Sequence, residues 1–257
     1  MRVGVYFDGF NVYYGGRRQA GRGASGWKWY DPRGVARGTL DRMLATGFVA
    51  DTGEVRTLWE KASIARVIFC SARIAAHGDP HAVADQDAFF EAVKRGGYID
   101  HLELGRYVAR VKHAPLAIKP TEWQSGPQLV SAHWPLMVQD AAGEPVPDAR
   151  FVVSYLHNEE KGSDVNIATH LLHDTFESRI DAAVVFSNDT DLKLPIEVAA
   201  NRIPVGVVNP SGRPVAGELK DAVLGNKGCW YFKLPLDVFT EHQMPDQVGD
   251  IHRPAQW

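Results

Sequence analysis

This sequence of 257 residues has only two cysteines, no long apolar run and no large excess of one charge. Its two cysteines, Cys70 and Cys229, lie far apart and lack the spacing of a metal-binding pair. We therefore expect two reduced, buried thiols, as in cytosolic proteins. No apolar run is long enough to cross a membrane, and Asp8 interrupts the first apolar stretch too early for a signal peptide. These absences predict a cytoplasmic protein without a membrane partner.

The charge balance excludes a strongly basic protein. Lys and Arg number 28 against 31 Asp and Glu, which gives a formal net charge of −3. The charge of the whole molecule therefore does not indicate a nucleic-acid partner, although a local basic patch still can. With 45% hydrophobic residues, the chain suits one folded domain with a full core. We predict a single domain over 1–240 and a C-terminal tail over 241–257.

Prolines are concentrated between residues 112 and 150, where six of them occur together with Trp123 and Trp134. This composition predicts an irregular or hairpin-like insertion in the domain rather than a second domain. An exposed insertion that carries tryptophan would also fit an interface with a protein partner or a second copy of the chain. The glycine-rich stretch 15–26 predicts a loop.

Predicted strands that are apolar on both faces alternate with predicted helices. The strands are 2–7, 65–71, 98–111, 151–156, 182–186, 205–208 and 229–232. The helices are 32–46, 80–95, 163–176, 192–201 and 219–224, with Asp31 as N-cap of the first and Asp79 before the second. This alternation predicts an α/β fold with a central, mainly parallel sheet and helices on both sides. In such folds ligands bind at the carboxyl ends of the strands.

Four aspartates fall at those strand ends. Asp8 ends the first strand, Asp164 begins the helix after the fourth, and Asp189 and Asp191 follow the fifth. Clustered carboxylates repel one another unless a cation lies among them, and Mg²⁺ or Mn²⁺ prefers oxygen ligands. The sequence therefore predicts a metal site formed by these four residues. Taken singly, each also fits a structural role as a turn or helix cap or as a first-turn helix acid.

Polar neighbours extend this predicted site. Asn11 and Ser187 can supply neutral oxygen or hydrogen-bonding groups beside the aspartates. Lys161 precedes Gly162 at a helix start, so it either contacts a phosphate there or points into solvent. His170 lies six residues after Asp164, so it either approaches the site or packs beneath it.

Three motifs in this order resemble those of the NYN domain family, a branch of the PIN-like nucleases. They are Phe7-Asp8-Gly9-Phe10-Asn11, Lys161-Gly162-Ser163-Asp164-Val165-Asn166-Ile167-Ala168 and Ser187-Asn188-Asp189-Thr190-Asp191-Leu192. Weaker similarities occur at 28–31 and 243–246, so the resemblance spans nearly the whole chain. It implies a Rossmann-like, PIN-type three-layer sandwich. It also implies that Asp8, Asp164, Asp189 and Asp191 are both metal ligands and catalytic residues.

The resemblance further implies a Mg²⁺- or Mn²⁺-dependent ribonuclease that hydrolyses RNA phosphodiester bonds with a metal-activated water. Many relatives carry an aspartate where this chain has His170, so we expect one tightly bound ion rather than two. Arg17 and Arg18, together with Asn11, Ser187 and Lys161, are the expected RNA contacts. Trp29 and Tyr30 are expected to anchor this region to the core.

A non-catalytic binding module is the alternative that remains, whereas the motifs of two other enzyme classes are missing. A PIN-like module that binds RNA or a protein without cutting would be expected to lose some of the four aspartates, all of which are present. A haloacid-dehalogenase-type phosphatase needs an Asp-x-Asp pair after the first strand, and here Gly9 and Phe10 follow Asp8. The chain also has no glycine-rich Walker loop, which argues against an NTPase.

Overall fold

A computed structural model describes residues 1–46, 53–74, 80–118, 126–133 and 135–257. The chain divides into two compact units. Unit 1 comprises Met1–Tyr107 and Glu160–Trp257, and unit 2 comprises Val108–Glu159. Asp79, Trp123 and Trp134, which carried predictions above, lie outside the described residues.

Within these ranges the secondary structure alternates as predicted. The strands are β1 (Arg2–Asp8), β2 (Ser63–Ala72), β3 (His101–Pro115), β4 (Ala117–Ile118), β5 (Gln128–Leu129), β6 (Val152–Lys161), β7 (Ala182–Phe186), β8 (Val205–Asn209), β9 (Trp230–Lys233), β10 (Gln247–Val248) and β11 (Ile251–His252). The helices are α1 (Gly9–Ala20), α2 (Pro32–Thr46), α3 (Gly53–Trp59), α4 (Pro80–Arg95), α5 (Ser163–Phe176), α6 (Lys193–Ala200), α7 (Gly217–Val223) and α8 (Asp237–Glu241). None of these helices is long and apolar enough to cross a membrane.

The central sheet has seven strands in the order β6-β3-β2-β1-β7-β8-β9. The pairs β1–β2, β1–β7, β2–β3, β7–β8 and β8–β9 are all parallel. The predicted mixed α/β fold with a mainly parallel sheet is therefore confirmed. From β1 the chain builds outward through β2 and β3, and later from β7 through β8 and β9 on the other side. This change of direction opens a crevice at the carboxyl ends of β1 and β7, where open sheets of this kind bind ligands.

Apolar side chains fill both faces of this sheet. Successive residues of a strand point to opposite faces, and β1 shows the result: Val5 and Phe7 lie in one core cluster, whereas Tyr6 lies in the other. The first cluster is rich in aromatic rings, and the second contains Ile167 of α5 and other aliphatic side chains of α5, α6 and α7. Full burial of each large apolar side chain contributes roughly 1.5–3 kcal/mol.

The predicted loop over 15–26 is wrong for its first residues, because α1 continues to Ala20. Gly15 and Gly16 are buried, and they serve close packing rather than flexibility. A Cβ atom on Gly15 would lie 2.7 Å from the carbonyl oxygen of Pro210, and one on Gly16 would lie 2.3 Å from the Trp27 ring. The helix ends at Gly21, whose φ of +94° favours glycine.

The last residues of the chain, predicted as a polar tail, belong to unit 1. β10 and β11 form a short antiparallel pair. The Trp29 indole N–H donates a hydrogen bond to the Pro245 carbonyl (2.7 Å), and the ring of Trp257 packs edge-on to Trp29 at 6.3 Å. Met244 is buried in the core.

Unit 2 contains the continuations of β3 and β6 and the antiparallel pair β4–β5. Within it, His113 Nδ1 lies 2.9 Å from the Ser154 hydroxyl, and Lys112 lies 3.6 Å from Glu159. Several of its apolar side chains are exposed, among them Val152, Leu156 and Met137.

The ion pair between Arg2 and Asp181 leads to a first prediction. Asp181 accepts hydrogen bonds from the Arg2 backbone N–H and from its guanidinium, both at 2.7 Å, and these hold the pKa of Asp181 down to about 2. Because the pair is largely exposed, Asp181→Asn should lower the free energy of unfolding by only about 0.5–1 kcal/mol at neutral pH. The carboxylate contributes fully above its unfolded pKa of about 4 and loses its contribution as the pH falls toward 2.

Urea unfolding of Asp181→Asn and wild type at neutral pH and near pH 2 would measure this difference. The exposed helical aspartate Asp221 provides a control, Asp221→Asn, which should match wild type at both pH values. An Asp181→Asn effect of the same size near pH 2 would contradict the ionic explanation.

Candidate functional site

Asp8 lies at the carboxyl-end edge of the central sheet, as the last residue of β1 and the N-cap of α1. Its Oδ1 accepts a hydrogen bond from the Asn11 backbone N–H (3.0 Å). Its Oδ2 accepts from the Asn11 side-chain amide and from the Ser187 hydroxyl, both at 2.8 Å. The side chain is nearly inaccessible, with 2% exposure, and this burial raises the pKa of Asp8. Three donors thus fix the orientation of a buried carboxylate.

The segment after β7 is tied to the same network. The Ser187 hydroxyl oxygen also accepts a hydrogen bond from the Asp189 N–H (3.0 Å), and the Asn188 N–H donates to Asn11 Oδ1 (3.2 Å). Asp189 in turn accepts from the Asp191 N–H (3.0 Å) and caps the 3-10 turn Thr190–Leu192. The structure therefore joins Asn11 and Ser187 directly to Asp8, as the sequence suggested. The cap is provided by Asp189, not by Asp191, which is exposed.

Asp164 in the first turn of α5 carries the clearest electrostatic signal. Its pKa is raised to about 6, first by partial burial and then by the negative charges of Asp8, Asp189, Glu160 and Asp191. The charges of the other three predicted aspartates therefore all reach Asp164 at this edge. Their oxygens are not tightly clustered: within the described residues, no three of them lie within 4.8 Å of one another. A hard divalent cation suits this all-oxygen donor set because it would offset the repulsion.

Glu160 also belongs to the acidic group around Asp164, although the sequence did not predict it. Its carboxylate accepts hydrogen bonds from the Ser163 backbone N–H (3.1 Å) and the Ser163 hydroxyl (2.9 Å). This first-turn amide of α5 is therefore already bonded. Lys161 is exposed at the end of β6. The capping box has the opposite order, with the serine first and the glutamate three residues later, so no established sequence pattern indicated this contact.

His170 approaches a different carboxylate. Its Nε2 lies 3.3 Å from Glu103 Oε1, and His101 Nε2 lies 2.7 Å from the same oxygen. These two imidazoles lower the pKa of Glu103. The register places Asp8 beside Cys70 and Cys70 beside Glu103, so one row of side chains crosses three strands. Neither Glu103 nor His101 was predicted, because only the register of β2 and β3 brings them to this row.

A cavity of about 680 Å³ lies along α1, and aromatic rings dominate its lining. Rings come from Phe10, Tyr13, Tyr14, Trp27, Phe89 and Trp257. Arg17 and Lys28 contribute positive charge, and Asp85 contributes a negative charge. Tyr13 and Tyr14 are 38% and 55% exposed, and Arg18 is also exposed. Trp29 and Tyr30 are buried, so their predicted role as core anchors is confirmed.

Comparison with known proteins gives two matches and no family. A scan against models of protein families found no match. Over 220 residues the chain is 26% identical to 6-hydroxy-3-succinoylpyridine 3-monooxygenase HspA of Pseudomonas putida (strain DSM 28022 / S16). The match covers 82% of this chain and spans 60% of that protein's length. A solved structure of a protein of unknown function from Vibrio parahaemolyticus RIMD 2210633 has 16% identity and a TM-score of 0.42, over 91% of this chain and 93% of that one.

The first match corrects the enzyme class expected from the sequence. A monooxygenase is an oxidoreductase, whereas the motifs implied a hydrolase acting on phosphodiester bonds. The prediction of a Mg²⁺- or Mn²⁺-dependent ribonuclease is therefore wrong on this comparison, and hydrolysis is not assigned to the chain. The motif resemblance rested on the aspartates, and these side chains are compatible with cation binding in proteins of more than one class.

Proposed function

We propose that this chain is an NYN-type, PIN-like domain that binds single-stranded RNA beside a Mg²⁺ or Mn²⁺ ion. The observation that carries the proposal is the buried Asp8 carboxylate, held by Asn11 and Ser187 at the carboxyl ends of β1 and β7. Asp164, Asp189 and Asp191 complete the cation site. The bound ion would supply positive charge for an RNA phosphate, and the raised pKa of Asp164 supports the need for it.

The RNA surface is the exposed side of α1, which begins at the cation site. Tyr13 and Tyr14 present rings to solvent, and Phe10 stacks on Tyr14 at 6.4 Å between centroids. Exposed rings of this kind stack on unpaired bases and contribute roughly 1–3 kcal/mol per base. Arg17 and Arg18 follow one turn later and would neutralise backbone phosphates. The proposal assigns binding to this surface and no cleavage.

RNA binding predicts distinct effects for the rings and the charges. Tyr14→Ala should weaken binding of a fluorescent single-stranded RNA by about tenfold, since it removes one stacking platform. Arg17→Glu with Arg18→Glu should weaken binding and reduce the dependence of log K on log salt by about two units. Fluorescence anisotropy in Mg²⁺, titrated over a range of salt, measures both effects.

Lys227→Glu provides the matched control for these charge reversals. Lys227 is exposed and precedes β9, so it lies at the amino-end edge of the sheet, away from the crevice. We expect it to bind RNA as wild type does. Equal weakening by Lys227→Glu, or wild-type affinity in both α1 variants, would remove this surface from the proposal.

An oxidoreductase acting on a small anionic aromatic compound is the second candidate. It is favoured by the match to a 6-hydroxy-3-succinoylpyridine 3-monooxygenase and by the cavity. The rings of the lining suit an aromatic compound, and Arg17 and Lys28 outnumber the one acid, Asp85, so that a carboxylate can pair with a cation there. Trp27 and Trp257 line the cavity, so binding should change tryptophan fluorescence. Saturable quenching by 6-hydroxy-3-succinoylpyridine that Arg17→Gln weakens would support this candidate. No quenching, with intact RNA binding, would leave RNA as the ligand.

A further inference from the structure

Three side chains outside the aspartate group bring nitrogen and oxygen donors to one point. Within the described residues, His101, Glu103 and His170 are the group whose potential ligand atoms all lie within 4.8 Å of one another. Two imidazoles and one carboxylate are donors that first-row transition metals bind in proteins. We propose that these residues form a site for a divalent transition-metal ion such as Zn²⁺ or Fe²⁺.

The donor atoms lie close to the separations that a shared ion requires, with one distance in the expected range and one shorter, at a hydrogen-bond length. With metal–ligand bonds of about 2.1 Å, neighbouring ligand atoms lie roughly 3.0–3.4 Å apart in octahedral or tetrahedral sites. Glu103 Oε1 lies 2.7 Å from His101 Nε2 and 3.3 Å from His170 Nε2. Small side-chain rotations would turn both nitrogens from the carboxylate toward an ion placed between the three groups.

The elements that carry these ligands hold them in place. His101 and Glu103 are two residues apart on β3, so both side chains project from the same face of the strand. β3 is paired with β2 in parallel register, which places Glu103 beside Cys70. His170 comes from the middle of α5, and the centroids of the two imidazole rings lie 5.1 Å apart. Ligands on a strand and a helix are positioned more firmly than ligands on loops.

Exposure at the three residues leaves room for further ligands. The side chains of His101, Glu103 and His170 are 43%, 37% and 21% exposed. An ion held by three protein ligands would therefore keep positions open to water or to a small molecule. Structural zinc sites are closed by four protein ligands, whereas open three-ligand sites are the catalytic kind. Two histidines and one carboxylate with open positions are also the ligand set of non-haem iron oxygenases.

The site differs in ligand chemistry from the edge around Asp8. Mg²⁺ prefers oxygen ligands and binds imidazole poorly, whereas Zn²⁺ binds imidazole well. Excess Mg²⁺ should therefore saturate the aspartates without displacing an ion from His101, Glu103 and His170. The two sites can be separated by this property in a single protein sample.

Calorimetric titration of the full chain with Zn²⁺, in excess Mg²⁺, tests the proposal. Wild type should bind one equivalent, and His101→Ala and His170→Ala should each weaken binding at least about 100-fold, since even outer-shell changes cost 10- to 100-fold. His252→Ala removes an exposed histidine of β11 and should bind as wild type does. Co²⁺ should give visible absorption bands in wild type that both ligand variants lose.

Circular dichroism melts of each variant, recorded without metal, establish that it is folded. If a folded His170→Ala chain binds Zn²⁺ as tightly as wild type, the site is elsewhere and the proposal is overturned. Loss of Zn²⁺ binding in excess Mg²⁺ would place the ion at the aspartates, and equal weakening by His252→Ala would indicate only adventitious histidine binding. Either result would also overturn it.

Discussion

Replacing Asp174 with alanine is expected to lower the free energy of unfolding by about 1–3 kcal/mol, because it would leave the buried Tyr6 hydroxyl without its acceptor and two partly exposed arginines without their ion-pair partner. Asp174 is fully buried in α5. Its Oδ2 accepts a hydrogen bond from the Tyr6 hydroxyl (3.0 Å) and lies 3.3 Å from Arg66 Nε. Arg179 Nη1 lies 3.7 Å from Oδ1. Without the carboxylate, the phenol and the guanidinium groups would lose their buried partner.

Urea unfolding with a fitted m-value measures this loss. Tyr6→Phe should cost less, about 1 kcal/mol, since it removes one neutral donor and leaves Asp174 with its arginines. In the double variant the two losses should not add, because Tyr6 and Asp174 share one hydrogen bond. Asp221→Ala, at an exposed helical position, serves as the control. A loss below about 1 kcal/mol for Asp174→Ala would show that the network does not hold α5 on the sheet.

The elements with local signals could be predicted from the sequence, and those fixed by packing could not. The bounds of α5 and β7 match the prediction, because apolar spacing marks both and Gly162 precedes the helix. The prediction missed that α1 continues through Gly15 and Gly16, because glycine usually indicates a loop. In the structure, the lack of a side chain lets Pro210 pack against Gly15 and the Trp27 ring pack against Gly16. Pro210 is distant in sequence and Trp27 lies beyond the end of the helix, so neither contact has a local signal.

The same distinction applies to the candidate site. Asp8 and Asp189 could be placed because Asp8 ends an apolar strand and Asp189 comes three residues after another, and the parallel sheet brings strand ends to one edge. His101 and Glu103 could not, because their approach to His170 depends on the register of β3 against β2 and on the position of α5. Register across three strands is a property of tertiary packing, and no local pattern in the sequence reports it.

Replacing Asp164 with asparagine is expected to change stability in opposite directions without and with Mg²⁺. The pKa of Asp164 is raised to about 6 by burial and by its acidic neighbours. An acid whose folded pKa is raised destabilises the fold once it is ionised, so the penalty is absent below about pH 4 and complete above pH 6. At pH 8 in EDTA the variant should be more stable by about 1–2 kcal/mol, after discounting for partial exposure, or roughly 3–6 °C in Tm.

Mg²⁺ should reverse this order if Asp164 is one of its ligands. At a concentration 100-fold above Kd, the ion stabilises wild type by about 2.7 kcal/mol, and the variant should gain much less because it has lost a charged oxygen ligand. The stability difference between the two proteins should therefore change by up to about 2.7 kcal/mol between EDTA and Mg²⁺. Thermal melts at pH 4 and pH 8 in each condition measure it.

Glu218→Gln separates the local helix effect from the effect of the acidic edge. Glu218 lies in the first turn of α7, as Asp164 does in α5, so its neutralisation removes only the favourable interaction with the helix dipole. That variant should be less stable by about 0.3–1 kcal/mol in both EDTA and Mg²⁺. If Asp164→Asn also loses stability in EDTA, and both proteins respond equally to Mg²⁺, Asp164 is only a first-turn helix acid. A gain in EDTA together with a reduced response to Mg²⁺ requires repulsion among the aspartates that a bound cation removes.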